Sequence, residues 1–143
     1  MEKFILRNGE GAIELEAFGF SFESALSHAG LGLMNSLSHD YHAVRTDATV
    51  VLEEKAETIE ELANLLLCDL LTESGEKDLL FKEISVEQFR KTPDGNYYAL
   101  LVARGGALEG AEENALVNRI SVAAGGVKES EKGSWSIKAR MEV

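Results

Sequence analysis

Residues 58–74 read TIEELANLLLCDLLTES, and no other stretch limits the fold as strongly. Thr58 with Glu61 one turn on is the signature of a capping box, which satisfies the free amides of a helix start. Behind it Ile59, Leu62, Leu65, Leu66 and Leu70 recur at helical spacing along one broad apolar face. A helix with so wide an apolar face is stable in water only when that face is covered. Cys68, the only cysteine in the chain, lies inside this helix, so no internal disulfide can form. Its thiol is either a nucleophile or a small buried hydrophobe, and its leucine neighbours favour the second.

The remaining segments supply the surfaces that helix needs. KFIL, at residues 3–6, is a short strand, and Gly9 and Gly11 mark a turn after it. AIELEAF then alternates, Ile13 and Leu15 facing one way and Glu14 and Glu16 the other, which is the period of a half-buried strand. Ser21 is an N-cap for an amphipathic helix over about residues 22–38, with Ala25, Leu26, Ala29, Leu33, Met34 and Leu37 on its apolar face. Gly30 and Gly32 weaken that helix, and close packing against a sheet is their expected use. Strands follow at 46–56, 78–90 and 96–104, the last two joined by KTPDG, whose Pro-Asp-Gly order makes a hairpin turn. GGALEGAEEN reads as a polar loop, and residues 115–127 should pair with 134–143 as a second hairpin around KESEKG. The order of elements argues an α+β fold, with two amphipathic helices packed on a mixed or antiparallel sheet.

A chain of 143 residues is expected to form one domain, here over residues 1–143, and its 45% apolar content supports a real core. The net charge of -11 is poor for gripping a nucleic-acid backbone or an anionic membrane and suits a basic partner protein or simple solubility. The N-terminus lacks the long apolar core of a secretory signal and no apolar run is long enough to cross a bilayer, so a cytoplasmic location is expected.

The most chemical stretch is HDYH, which holds two of the chain's 3 histidines around Asp40 and Tyr41. His39 and His42 would share one face if the helix ran that far. A metal site needs a third ligand and usually a fourth. Asp40 would face about 100° away on a helix, from the helical period of 3.6 residues per turn. A two-histidine site and a solvated helix end are both open. His28 lies inside the helix, placed to bond a backbone carbonyl. No phosphate-binding loop, nucleophile elbow or zinc-protease motif occurs. Tyr97 and Tyr98 could stack bases but lack basic neighbours in the sequence, so one inward and one outward tyrosine on a strand pair is the better reading.

The segments EAFG with FSFESALSHAGLGLMNSL resemble the first strand and helix of the archease family. AETIEELANLLLCDLLTESGEKDLLFKEISVEQF is similar to that family's second helix and its LLF strand. NALVNRISVAAGGVKESEKGSWSIKARMEV is similar to its closing hairpin, including the Gly-x-Trp before the last strand. The resemblance runs through nearly the whole chain. It implies a small acidic accessory protein that assists the tRNA-splicing RNA ligase in guanylylation and turnover. It also implies a divalent-metal site built from carboxylates; a chaperone or modulator role is attributed to the family as well. Most of that site is altered here. Asn8 and Gly9 stand where the family has Asp-His, and Ala12 where it has a second aspartate. Leu65 replaces a helix aspartate, and Cys68-Asp69 an Asn-Glu pair. Gly126 replaces a histidine, and Glu142-Val143 the final Asp-Ile. The resemblance thus leaves Asn8, Asp69, Glu142 and the carboxylate of Val143 as binding remnants, with Glu10 close enough to replace one donor.

Two expectations follow. The first is a non-enzymatic accessory protein acting on a protein partner, an RNA ligase by the resemblance. It has no catalytic residues, no metal ligands, no cofactor, no direct nucleic-acid contact and no membrane contact, and its ligase activation is open to loss. The second is a small metal- or ligand-binding enzyme with an unrecognised pocket using His39, Asp40 and His42. The partner's identity and the oligomeric state are not legible.

Overall fold

The computed structural model describes residues 2–107 and 116–143. Strands β1 (Phe4–Gly9) and β2 (Ala12–Gly19) form a hairpin, helix α1 spans Phe22–Leu37, and strand β3 spans Ala48–Ala56. Helix α2 (Ile59–Lys77) precedes the long hairpin of β4 (Leu79–Lys91) and β5 (Tyr97–Ala107). Short strands β6 (Arg119–Ser121) and β7 (Val127–Glu129) lead to β8 (Trp135–Glu142).

Every strand pairing is antiparallel. The strands form two sheets rather than one: β1-β2-β8-β6 with β7 also on β8, and β3-β5-β4. The α+β class read from the sequence therefore holds, and the mixed-sheet option does not. The two sheets are bridged by the helices. A Cβ added at Gly30 would lie 2.7 Å from Ile84 on β4, and one at Gly32 only 2.4 Å from Leu15 on β2. The paired glycines thus let α1 press into both sheets. At its N-terminus the Phe22 ring sits 4.5 Å from Phe89 of β4 and 6.0 Å from Trp135 of β8, joining the sheets again.

Local chemistry sets the helix ends. Ser21 Oγ accepts from the Ser24 amide at 3.0 Å, and Thr58 Oγ1 from the Glu61 amide at 3.1 Å. α2 runs to Lys77, one turn past the expected end, and stops where Asp78 turns left-handed at φ 53. Its buried stripe is Leu62, Ala63, Leu66, Leu67 and Leu70, while Ile59 and Leu65 sit at the margin. The stripe is shifted because α2 is covered from two directions, by β3 and by β6.

Two segments differ from expectation. Gly105, Gly106 and Ala107 belong to β5 rather than to a loop. Side chains are excluded there, because a Cβ at Gly105 would reach within 1.8 Å of the Leu80 carbonyl oxygen and one at Gly106 within 2.6 Å of that of Arg45. The rest of the expected polar loop, residues 108–114, and the first residue of the expected strand at 115 lie outside the described residues. The second hairpin is also split. β6 pairs Ser121 with Arg140 and β7 pairs Val127 with Ile137, so residues 122–126 face only Lys138 and Ala139. The surplus residues loop out of the ladder. Among the described residues no helix is long and apolar enough to cross a membrane.

Leu66 is fully buried within a cluster that draws on both helices and both sheets. Leu66→Ala should lower the unfolding free energy by about 2–5 kcal/mol, the range for a truncated core leucine. Chemical denaturation measures it, and a near-zero change would mean that the wrong face of α2 has been placed inward.

Candidate functional site

The looped-out segment between β6 and β7 builds one side of a hollow. Val122 donates its amide to Asn64 Oδ1 of α2 at 2.8 Å, which pins the start of the loop. The Gly126 amide donates to the Ala123 carbonyl at 2.9 Å, and Gly125 takes φ +78, so the segment closes as a tight turn. The Lys138 amide donates to the Gly126 carbonyl at 2.8 Å and returns the chain to the sheet. Nothing larger than a methyl group projects from residues 123–126, so a cleft of about 590 Å³ opens against β1, β2 and β8.

Its floor is the face of the five-stranded sheet turned away from the helices. Alternation places Arg7, Glu14, Lys138 and Arg140 there. Glu14 lies opposite Arg7 on one side and Arg140 on the other, and Glu16 lies opposite Lys138. Arg7 Nη1 bonds Glu16 Oε1 at 3.2 Å. Among the described residues, Lys138 and Arg140 enter no ion pair and no side-chain hydrogen bond.

Several positions singled out in the sequence converge here. Asn8 and Glu10 line the cleft, as do Gly9, Ala12 and Gly126, which stand where the resemblance places acid and histidine ligands. Glu142 pairs with Ala12, and the Val143 amide donates to the Gly11 carbonyl at 3.1 Å, so both share this end of the sheet. Asp69 is not part of the lining. Its carboxyl is pushed up to about 7 by burial, by a hydrogen bond with Glu54 and by the charges of Glu54 and Glu73. Among the described residues no three His, Cys, Asp or Glu side chains gather as a set that could hold a metal. Ala12 and Gly126 offer no side-chain donor for a metal, and Arg7, Lys138 and Arg140 line the same cleft.

HDYH is not part of α1 but a turn of its own. α1 stops at Leu37, the Ser38 amide donates to the Met34 carbonyl at 2.9 Å, and residues His39–Ala43 form their own 3₁₀ turn. Ser38 Oγ caps it by accepting from the Asp40 amide at 3.1 Å. His39 and His42 are both exposed, and the Tyr41 ring meets His42 edge-on at 5.6 Å. His28 Nδ1 lies 2.6 Å from the Phe18 carbonyl, the backbone bond expected of it. Cys68 is half-buried and bonds the Ile120 carbonyl at 3.3 Å. Burial first, and the Asp69 charge second, raise its thiol pKa, so it is held as a thiol rather than a nucleophilic thiolate.

The tyrosines do have basic neighbours, contrary to the sequence reading. Arg90 lies 4.3 Å above the Tyr98 ring and Lys91 lies 5.5 Å above that of Tyr97. Both come across the β4–β5 hairpin, a pairing that adjacency in sequence does not show. Arg7, Lys138 and Arg140 were also passed over as site residues, because alternation reads them as an ordinary solvent face. The available signal was two same-face cations in one strand of an acidic chain, beside a loop of alanines and glycines.

No family model matches the chain, and no curated protein matches it. Among solved structures, the solution structure of protein 1598 from Methanobacterium thermoautotrophicum is similar to it with a TM-score of 0.83 and 16% identity, over 100% of both chains. A crystal structure of an archease, a possible chaperone, from Thermotoga maritima aligns with a TM-score of 0.49 and 14% identity, over 100% of this chain and 98% of that one. The first likeness shows a shared fold. At its TM-score the second carries no weight.

Two outcomes follow from these surroundings. Replacing both His39 and His42 by alanine should cost under about 1 kcal/mol, as surface changes away from special features do; a collapse of the melting temperature would show that they hold something structural. Asp69 binds its proton more tightly when folded, at about 7 against about 3.9 in an unfolded chain. Between those values the native state carries more protons, so this group makes stability fall as pH rises through the window. Asp69→Asn should therefore melt higher than the parent above pH 7, with the advantage fading toward about pH 4. Thermal melts across this range check it, and a pH-independent difference would contradict the assignment.

Proposed function

We propose that the chain is a non-enzymatic accessory protein of archease type that acts by binding a protein partner. The observation that carries this reading is the convergence of Asn8, Gly9, Ala12 and Gly126 in one cleft. The resemblance assigns these positions to the family's site, although Gly126 lies far in the sequence from the other three. The segments that carry the resemblance also fall on whole elements. EAFG ends β2, LLF opens β4, and Gly133-Ser134-Trp135 enters β8.

An RNA ligase is the expected partner class, and the net charge of -11 suits a basic surface on it. No cofactor, no direct nucleic-acid contact and no membrane contact are part of the proposal, and a cytoplasmic location goes with it. The remnants Asn8, Glu10, Asp69 and Glu142 supply too few converging oxygens for calcium, which takes at least six. Metal-dependent stimulation of a ligase is therefore not part of the role.

A tagged full-length chain, used to capture proteins from its source cell, should recover a defined partner, and capture of nothing specific would count against the accessory role. Calorimetric titration of metal-stripped protein should show no binding at micromolar calcium or manganese, and addition of the chain should not raise guanylylation by a cognate ligase. Tight one-to-one metal binding, abolished by Glu142→Ala, would overturn the reading of a lost metal site.

A further inference from the structure

The cleft also has a chemistry of its own. The chain holds 14 basic residues against 25 acidic ones, yet Arg7, Lys138 and Arg140 all line one hollow. Only Arg7 is tied to a carboxylate, Glu16 at 3.2 Å. Lys138 and Arg140 stand two positions apart on the same face of β8, about 7 Å at the rise of a strand. Neither is neutralised by an ion pair among the described residues, although Glu14 and Glu16 are their cross-strand neighbours. Two such cations repel each other and gain from a shared anion.

The β6–β7 turn in the same lining adds backbone donors. The amides of Ala124 and Gly125 have no acceptor among the described residues. A turn of small residues with free backbone amides is a concavity that favours anions. With one guanidinium fork and one ammonium lining the same cleft, the donor set suits a phosphate group, which accepts from several directions at once. Glu10 and Glu14 line the same space and would repel a bare anion, but they accept hydrogen bonds from hydroxyl groups. A volume of about 590 Å³ is within the range of small-molecule sites.

We infer that this cleft binds a small phosphate ester carrying hydroxyl groups, its phosphate held by Lys138, Arg140 and the Ala124 and Gly125 amides and its hydroxyls by Glu10 or Glu14. The inference does not depend on the accessory role, since it rests on charge and shape within this chain alone.

The test titrates the full chain at low salt with ribose 5-phosphate, inorganic phosphate and ribose. Ribose 5-phosphate should bind, inorganic phosphate should bind more weakly, and ribose should not bind. Lys138→Gln and Arg140→Gln should each weaken ribose 5-phosphate about tenfold, the loss expected for one charge-assisted hydrogen bond. Lys132→Gln, in the β7–β8 turn outside the cleft, should leave binding unchanged. In the parent protein the Ala124 and Gly125 amide resonances should shift on adding ribose 5-phosphate, which keeps the test independent of any variant's folding. Failure of ribose 5-phosphate to bind, binding of ribose as tight as that of its phosphate, affinity that survives both glutamine variants, or unmoved Ala124 and Gly125 amides would each overturn the inference.

Discussion

The molecule depends on how closely α1 lies against two sheets that do not pair with each other. Gly32 lets the helix backbone approach Leu15 of β2, and Gly30 lets it approach Ile84 of β4. Any side chain at Gly32 would have to displace Leu15, which is fully buried. Because interiors are packed near crystal density, the Leu15 side chain could move only by repacking its neighbours. Leu15 is paired with Ala139 of β8, and their immediate neighbours Glu14, Glu16, Lys138 and Arg140 point to the far face. Strand geometry makes the two faces one rigid object. The packing of a glycine against a leucine in the core thereby sets where the charged side chains of the cleft stand.

Charge contributes to this fold differently from packing. The exposed pairs Arg7–Glu16, Lys55–Asp94 and Lys77–Glu73 are of the kind worth at most about 1 kcal/mol each. Asp69 works the other way, since its surroundings favour the neutral form over the charged one. The fold therefore rests on the apolar cluster shared by both helices and both sheets. Its polar faces are arranged under weak constraint from stability, which leaves the outer face of the five-stranded sheet available for a site.

Whatever is specified locally was legible in the sequence. Caps at Ser21 and Thr58, the KTPDG turn and the alternation of β2 are each fixed by residues a few positions apart, and each is where the sequence places it. Even the use of Gly30 and Gly32 could be anticipated, because glycine inside a strong helix needs a packing reason. What failed was non-local. The division into two sheets and the second covering of α2 by β6 depend on which strands meet, and no periodicity encodes that. The split of the last hairpin failed for a related reason: SVAAGG continues an apolar run, and only its register against β8 shows that residues 122–126 cannot all pair. Half of the cleft was legible through Asn8 and Glu10. The other half was hidden, because Arg7, Lys138 and Arg140 alternate like any solvent-facing row.

The two readings of the cleft, a metal centre and an anion site, call for opposite charge. A divalent ion about 6 Å from a single positive charge is repelled by about 5 kcal/mol at an effective dielectric of about 20. Three cations line this hollow. Arg7 is already paired with Glu16, which leaves Lys138 and Arg140 beside Glu10 and Glu14, and Ala12 and Gly126 offer no side-chain donor at all. The same small residues that remove metal ligands also remove bulk, and so they widen the space in which Lys138 and Arg140 stand. The lack of side-chain donors at Ala12 and Gly126 and the unpaired state of Lys138 and Arg140 are thus the two features on which the proposed anion site rests.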